Sequence, residues 1–288
     1  MKILLLGKNG QLGWELQRTL APLGFISALD YEELNLEDFD AVRETIRVLA
    51  PQIIINASAY TAVDRAESEV EKCFAMNATV PAILAEEALR LNATLIHYST
   101  DYVFDGAKGV PYTEADCPHP LNVYGRSKLT GEQAIQAVGG MYLIFRTAWV
   151  YSTRQGGFVT KVLQWARENE SLRIVSDQIS NPTWARMLAE MTSQVLAQGN
   201  EYIAERSGLY HLAGAGYTSR LEWTRKILAL DPNKHEHRLK ELLPALTTDF
   251  PAPAVRPLFS ALDCSKFADV FGAQLPAWEQ ALALSQAK

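Results

Sequence analysis

Three cysteines in 288 residues is few, and Cys73, Cys117 and Cys264 show neither paired spacing nor a Cys-x-x-Cys. A disulfide framework is thereby excluded; the three fit a reducing cytoplasm and read as small packing residues. Basic clusters are also missing. With a formal net charge of -6, the chain lacks the electrostatic footprint of a nucleic-acid partner. No apolar run approaches the roughly 18–20 residues needed to span a bilayer, so no membrane contact is expected. The opening MKILLLGKNG is interrupted too early by Gly, Lys and Asn for a secretory signal. Repeats and low-complexity tracts are absent as well. What is there is ordinary globular material, 48% hydrophobic and 21% charged, long enough for one large domain or two smaller ones.

Residues 2–6 form an almost fully apolar run ended by Gly7, the pattern of a buried parallel strand. Similar runs at 25–29, 53–56, 94–99 and 141–148 alternate with helical patterns at 11–20, 38–49, 67–91 and 122–138. Pro81 marks a break or a new first turn within the third of these helices. The alternation predicts an α/β fold, a doubly wound parallel sheet of the Rossmann type, in a dinucleotide-binding domain over residues 1–150. After Trp149 the rhythm changes. Residues 151–288 are expected to be mainly a smaller substrate-binding domain lying over the carboxyl edge of the sheet. It opens with a loop over 151–157, and the chain is expected to return to the first sheet around 172–176 and 208–212. The segment from Pro232 to Pro257 mixes charge with proline and reads as loop with a short helix.

Gly7, Gly10 and Gly13 stand at i, i+3 and i+6 between the first strand and the first helix. The first permits a tight turn, the second lets a pyrophosphate approach the backbone, and the third permits close helix–strand packing. The helix N-terminus offers free N–H groups and partial positive charge to an anion. Asp30 ends the second strand, where an acid accepts hydrogen bonds from an adenosine ribose and favours NAD over NADP. The third strand runs into Asn56-Ala-Ser-Ala-Tyr-Thr61, whose small residues leave room for a flat ligand. Asn77 is a candidate to hold that edge by hydrogen bonds.

From His97 to Lys128 the chain carries Ser99, Thr100 and Asp101 at a strand end, then Tyr124-Gly-Arg-Ser-Lys128. A Tyr and a Lys at i and i+4 share one helix face. A free phenol titrates at about 10. A neighbouring ammonium favours the phenolate, so Lys128 is expected to lower the Tyr124 pKa and fit it for proton transfer near neutrality. Tyr-x-x-x-Lys is a common surface pattern on its own; the glycine turn and the hydroxyl cluster give it weight.

Together these residues resemble the extended short-chain dehydrogenase/reductase superfamily, and within it the dTDP-4-dehydrorhamnose reductase family. The resemblance is carried by GKNGQLG (7–13), INASAYTAVDRAE (55–67), MNAT (76–79), HYSTDYVFDG (97–106), PLNVYGRSK (120–128), FRTAWVY (145–151), DQISNPT (177–183) and GLYHLAG (208–214). It implies reduction of a C4 ketone on a dTDP-sugar by NADPH or NADH, in polysaccharide biosynthesis. Thr100, Tyr124 and Lys128 would be the catalytic residues. Gly7, Gly10, Gln11 and Leu12 would meet the cofactor phosphates. Asp30, Asn35 and Leu36 would meet its adenosine, with Asn35 standing where the family often has Asp. Ala57, Ala59, Tyr60, Thr61 and Tyr98 would line its nicotinamide half with Tyr124 and Lys128. Thr100, Asp101, Trp149 and Arg256 would contact the substrate. Some relatives bridge a dimer through Mg2+ on acidic side chains, and Glu15 is the candidate here. Arg186 stands where a further acid is expected, so no metal residue is assigned. The oligomeric expectation is a monomer or homodimer. The alternatives left open are another nucleotide-sugar 4-ketoreductase, an epimerase, a dehydratase, or a non-catalytic NADP-binding regulatory subunit. Asp101-Tyr102 stands where a dehydratase usually shows Asp-Glu.

Overall fold

The computed structural model describes residues 1–154 and 156–287. Gln155, inside the loop expected over 151–157, and Lys288, the last residue of the expected second domain, lie outside the described residues. The chain opens with β1 (Lys2–Leu6), α1 (Gln11–Thr19), β2 (Phe25–Leu29), α2 (Phe39–Leu49) and β3 (Ile53–Asn56). Two short helices, α3 (Val63–Ala66) and α4 (Val70–Phe74), precede α5 (Val80–Leu91). Then come β4 (Thr94–Thr100), α6 (Val123–Val138) and β5 (Met141–Thr147). The five strands pair in parallel, and the full sheet order is β10-β5-β4-β3-β1-β2, where β10 is Gly208–His211.

The central strands are apolar because both faces are covered. Ile3, Leu5, Ile53 and Ile55 pack on one side with Leu12 and Leu16 of α1. Leu4, Leu6, Ile54 and Leu95 pack on the other with Val42, Ile46, Ile83 and Leu84 of α2 and α5. The chain leaves β1 for β2 on one side and for β3 on the other. That order reversal opens a crevice at the carboxyl ends of β1 and β3, where such sheets bind ligands.

The long helix expected over 67–91 is a composite. Between α4 and α5 lies a π turn at Ala75–Thr79, and Pro81 sits in the first turn of α5, where its missing N–H costs no hydrogen bond. The π turn presents Asn77, wholly buried, to the edge of β3.

Beyond β5 run β6 (Val150–Tyr151), α7 (Phe158–Glu168), β7 (Ser171–Val175), β8 (Ile179–Ser180), β9 (Thr183–Trp184), α8 (Ala185–Ala197) and α9 (Asn200–Ala204). After β10 come β11 (Thr218–Ser219), α10 (Arg220–Leu230), β12 (Glu241–Ala245), α11 (Ser265–Phe271) and α12 (Trp278–Gln286). The expected return of the chain to the main sheet holds for 208–212 and fails for 172–176. β7 instead pairs in parallel with β12 in a separate two-stranded sheet. In β7 only Ile174 is buried, while Ser171 and Arg173 are exposed. A strand inserted in the doubly covered sheet needs both faces apolar, and this one has one apolar face at most. The same pairing turns part of the expected 232–257 loop into β12.

The boundary at residue 150 is likewise not clean. Leu188, Ala189 and Leu196 of α8, and Phe267 of α11, belong to the first core, packed with α1. The second core is aromatic: Tyr151, Trp223 and Trp278 with Val159, Val162, Ile227 and Leu282. Of the three cysteines expected to pack, Cys73 is buried, Cys264 partly so, and Cys117 exposed. No helix among the described residues is long and apolar enough to cross a membrane.

Candidate active site

A cavity of about 520 Å³ lies along the carboxyl ends of β1 to β5. Every sequence-expected cofactor residue lines it: Gly7, Gly10, Gln11 and Leu12 at one end; Asp30, Asn35 and Leu36 beside β2; Ala57, Ala59, Tyr60 and Thr61 after β3; Tyr98, Tyr124 and Lys128 at the far end. Gly7 has φ +84, and a Cβ on it would lie 2.8 Å from the Ser58 nitrogen. A Cβ on Gly13 would come within 2.0 Å of the Gly7 carbonyl oxygen. Only glycine lets helix and turn approach this closely. A Cβ on Gly10 would touch only that same oxygen, at 3.4 Å, which leaves the backbone open to a ligand. No side chain caps α1, so its first N–H groups remain for an anion.

Asp30 closes this end. Its carboxylate accepts from the backbone N–H of Asn9 (2.9 Å) and of Tyr31 (2.8 Å), which ties the end of β2 to the glycine turn. Asn77 clamps Tyr60 in both directions: its oxygen accepts from the Tyr60 N–H (2.9 Å) and its amide donates to the Tyr60 carbonyl (3.0 Å). The Tyr60 phenol is turned away to Glu69. Tyr98 also presents backbone rather than phenol, since its hydroxyl bonds to Thr192 (2.7 Å) on α8.

Two strand-end hydroxyls line the wall too: Ser99, noted in the sequence without a role, and Thr147, which sequence reading passed over. Among the described residues, the buried hydroxyls of Ser99 and Thr147 have no hydrogen-bond partner, and both residues face the cavity. Buried polar groups are nearly always paired, so two orphans on one wall point to a polar ligand. Open glycine backbone, an uncapped helix and orphan hydroxyls together fit a dinucleotide with a carboxamide at one end. Both serve strands whose ends were expected at this edge, which is the signal that could have found them.

Tyr124 stands in the first turn of α6, which Asn122 caps through the Gly125 N–H (2.8 Å). Gly125 packs against the Tyr102 carbonyl, where a Cβ would intrude to 2.2 Å. Burial pushes the Tyr124 phenol above its usual value; a hydrogen bond with the Thr100 hydroxyl pulls the other way. Tyr124 is therefore a neutral phenol across neutral pH. The expected lowering by Lys128 is not what the geometry gives. The Lys128 Nζ, itself buried, donates to the Tyr98 carbonyl at 2.6 Å and lies 3.2 Å from His97 Nε2. Burial brings it down to about 8, with the Glu132 charge opposing.

Thr100, Asp101, Trp149 and Arg256 do not line this cavity. Thr100 adjoins it through Tyr124. The expected sugar contact by Asp101 needs correction. The residue is buried and its carboxylate accepts from Ser180 (2.9 Å), Ser260 (2.5 Å) and Thr100 (3.2 Å). Burial still holds its pKa above the usual carboxylate range. Those bonds tie the end of β4 to the second part of the chain and hold Thr100 from below. Arg256 is occupied by Asp64, to which its Nη2 donates at 2.7 Å, and it touches Tyr102.

Trp149 adopts φ +39, an uncommon conformation for a bulky residue. It stacks on Trp223 at 5.5 Å, and the Arg220 guanidinium sits 3.7 Å over its ring. Arg220 lines a second cavity of about 630 Å³ with Phe158, Lys161, Trp165, Arg173 and Phe250. Its charge also reaches Asp101 and Tyr102, and Tyr102 meets the Tyr124 ring edge-on at 5.9 Å. Tyr102 and Arg220 thus lie between the two cavities, which share no lining residue. Of the sequence motifs only DQISNPT reaches the second one, through Gln178.

The metal reading is met by a cation. Arg186 pairs with Glu190 (2.6 Å) and is acted on by the charge of Glu15. Among the described residues no cluster of three or more His, Cys, Asp or Glu could hold a metal. Within this one chain the Glu15 and Glu190 carboxylates are met by the Arg186 guanidinium.

A family model described as the RmlD substrate binding domain matches residues 1–288. The chain belongs to this RmlD family. It is 40% identical to a dTDP-4-dehydrorhamnose reductase of Burkholderia thailandensis, over 99% of this chain and 97% of that one. It superposes on the crystal structure of a dTDP-4-dehydrorhamnose reductase from Clostridium acetobutylicum with a TM-score of 0.91 and 32% identity, covering 99% and 98% of the two chains. A Bacillus anthracis dTDP-4-dehydrorhamnose reductase solved in complex with NADP gives a TM-score of 0.89 at 32% identity, over 98% and 96%. The Rossmann-type sheet holds one cavity and the later elements hold the other.

Proposed function

We propose that this chain reduces the C4 ketone of dTDP-4-dehydro-L-rhamnose to dTDP-L-rhamnose, with NADPH or NADH as reductant. The observation that carries the reading is a buried neutral phenol, Tyr124, beside the Thr100 hydroxyl on the wall of a dinucleotide-shaped cavity. The names of the 30–40% identical relatives support the substrate.

A bound nicotinamide cofactor supplies the hydride. Gly7, Gly10, Gln11 and Leu12 would hold its pyrophosphate, and Asp30, Asn35 and Leu36 its adenosine end; Tyr98, Ala57, Ala59, Tyr60, Thr61 and Lys128 would take its nicotinamide half. Tyr124 donates its proton to the oxygen of the reduced carbon. Its burial serves this step, because a phenol held above its normal pKa still carries its proton at pH 7. Thr100 would turn its single O–H from Asp101 to the same oxygen as the ketone binds, and so steady the growing charge. Asp101 positions Thr100. The second cavity suits a nucleoside diphosphate: Arg173, Lys161 and Arg220 supply donors for phosphate oxygens, and Phe158, Trp165 and Phe250 supply ring faces for a base. The reading places the enzyme in the cytoplasm, as a monomer or homodimer, acting on a small nucleotide sugar.

The test is loss of NADPH absorbance with dTDP- and UDP-4-ketosugars. One cofactor consumed per dTDP-ketosugar supports the reading. Product formation without net cofactor loss would indicate an epimerase or dehydratase. Tight cofactor binding with no turnover would indicate a regulatory subunit.

A further inference from the structure

The adenosine end of the first cavity carries more charge than the reductase reading uses. Asp30 and Tyr31 line it where β2 ends, and Asp30 stands where an acid meets the ribose 2′-hydroxyl of a dinucleotide. NADH keeps that hydroxyl free, whereas NADPH carries a phosphate on it. A phosphate in this corner calls for a cation rather than for acceptors.

The turn after β2 folds back on Asp30. The Glu33 N–H donates to the Asp30 carbonyl at 3.0 Å, and one Glu33 carboxylate oxygen accepts from the Asp30 N–H at 3.0 Å. Two carboxylates therefore share the corner. The other Glu33 oxygen accepts from Lys8 Nζ at 2.5 Å. Lys8 stands in the glycine turn, and its own N–H points back to the Leu29 carbonyl at the end of β2 (3.4 Å). Its ammonium is thus one carboxylate away from Asp30, yet it is withdrawn from the cavity, which Lys8 does not line. The Lys8 bond and then the Asp30 N–H draw Glu33 below the usual carboxylate range, so its carboxylate is charged at neutral pH. Of the two lysines that do line the cavity, Lys128 lies at the nicotinamide end and Lys72 faces Glu37 at 3.6 Å.

We propose that Glu33 is a cofactor-specificity residue: it keeps Lys8 away from a 2′-phosphate, sets a second negative charge beside Asp30, and so biases the site toward NADH. The inference rests on the reading of the first cavity as the cofactor site and deepens it. Lys8 and Glu33 are 23% and 40% exposed, so the pair can open without disturbing the core beneath it. With Glu33 uncharged, the Lys8 ammonium is free to swing to a phosphate beside Asp30, while a free 2′-hydroxyl gains nothing from the change.

The test uses the full-length protein without sugar substrate. Fluorescence titration with NADPH and with NADH, at one low salt concentration, gives the ratio of the two Kd values. Glu33→Gln keeps an oxygen for the Asp30 N–H but turns an uncharged NH2 to Lys8 and releases it. The ratio of NADPH Kd to NADH Kd should fall about tenfold, through tighter NADPH binding, with the NADH Kd near the parent value. In a Lys8→Gln background the same substitution should lower the ratio only about threefold, because a charge is removed but no ammonium is released. A Glu33→Gln ratio within about twofold of the parent's overturns the proposal. An equal fall in the Lys8→Gln background also overturns it, since Glu33 would then act by its own charge and not by holding Lys8. If the parent binds neither cofactor, the cofactor reading falls and takes this one with it; if both bind and the ratio does not move, this one falls alone.

Discussion

The two cavities are made of different material. The first is walled by backbone and by small residues where five parallel strands end, and it is shaped by atoms that are missing: the absent Cβ of Gly13 and of Gly7. The second is walled by long side chains, Phe158, Lys161, Trp165, Arg173, Arg220 and Phe250, gathered from α7, β7, α10 and the turn after β12. A wall of backbone cannot adjust, so it suits a cofactor and chemistry that demand fixed geometry. A wall of flexible cations and rings tolerates change and grades affinity. Substitutions should therefore act by threshold in the first cavity and by degree in the second.

Tyr124→Phe tests the threshold side most severely. It keeps the ring against Tyr102 and removes the proton donor. kcat should fall by about 10²–10⁴-fold, while cofactor affinity, followed by fluorescence titration, stays near the parent value. An unchanged kcat would remove Tyr124 from the mechanism.

The core one helical turn beyond Lys128 should also fail sharply. Glu132 and Arg146 form a fully buried ion pair, 1% and 4% exposed. Glu132→Ala strands the guanidinium in low dielectric, which costs about 3–5 kcal/mol. Urea unfolding measures it. A loss below about 1 kcal/mol would mean that the pair is no better than a surface one.

The second cavity should respond by degree. Arg173, half exposed and paired with Asp249 at 2.5 Å, is a donor that a diphosphate can share. Arg173→Ala should raise KM for the nucleotide sugar roughly tenfold, about 1.4 kcal/mol, from one charge-assisted hydrogen bond. The cofactor Kd should not move. If the cofactor Kd moves and KM does not, the assignment of ligands to the two cavities is reversed.

The same contrast explains what could be read in the chain. Each wall segment of the first cavity is local: an apolar run, then Gly7, Asp30, Asn56, Ser99 or Thr147 directly after it. Strand ends meet at one edge once the sheet is doubly wound, so the strands located the edge, while residues such as Asn35, Leu36 and Tyr98 came from the resemblance. The second cavity depends on β7 pairing with β12, seventy residues apart, and on Arg220 lying across Trp149. Neither pairing has a local signature, and β7 was expected in the wrong sheet because three apolar residues around Arg173 do not reveal how many faces will be covered. The direction of the Tyr124 shift was missed for a related reason. Spacing shows that Lys128 shares its face, but not that His97 and the Tyr98 carbonyl hold the Lys128 Nζ, nor that burial outweighs a neighbouring charge.

The smallest expected effect belongs to neither cavity and so calibrates both. Asp116 lies on the loop before α6, where its carboxylate accepts from Lys108 Nζ (2.6 Å), the Thr113 N–H (2.6 Å) and the Thr113 hydroxyl (2.9 Å). The Lys108 bond above all draws its pKa down to about 2 from 3.8. A carboxylate depressed in the folded state adds stability that is full above its unfolded pKa and lost as pH falls through the folded one. The window is therefore roughly pH 4 to 2. Asp116→Asn should flatten the acid limb of the stability profile there, and should cost less than about 1 kcal/mol at pH 7, because the pair is partly exposed and screened. Cofactor Kd and sugar KM should both stay at parent values. A change in either would mean that the loop communicates with the site through α6, and the two cavities would then not be the independent units that their different walls suggest.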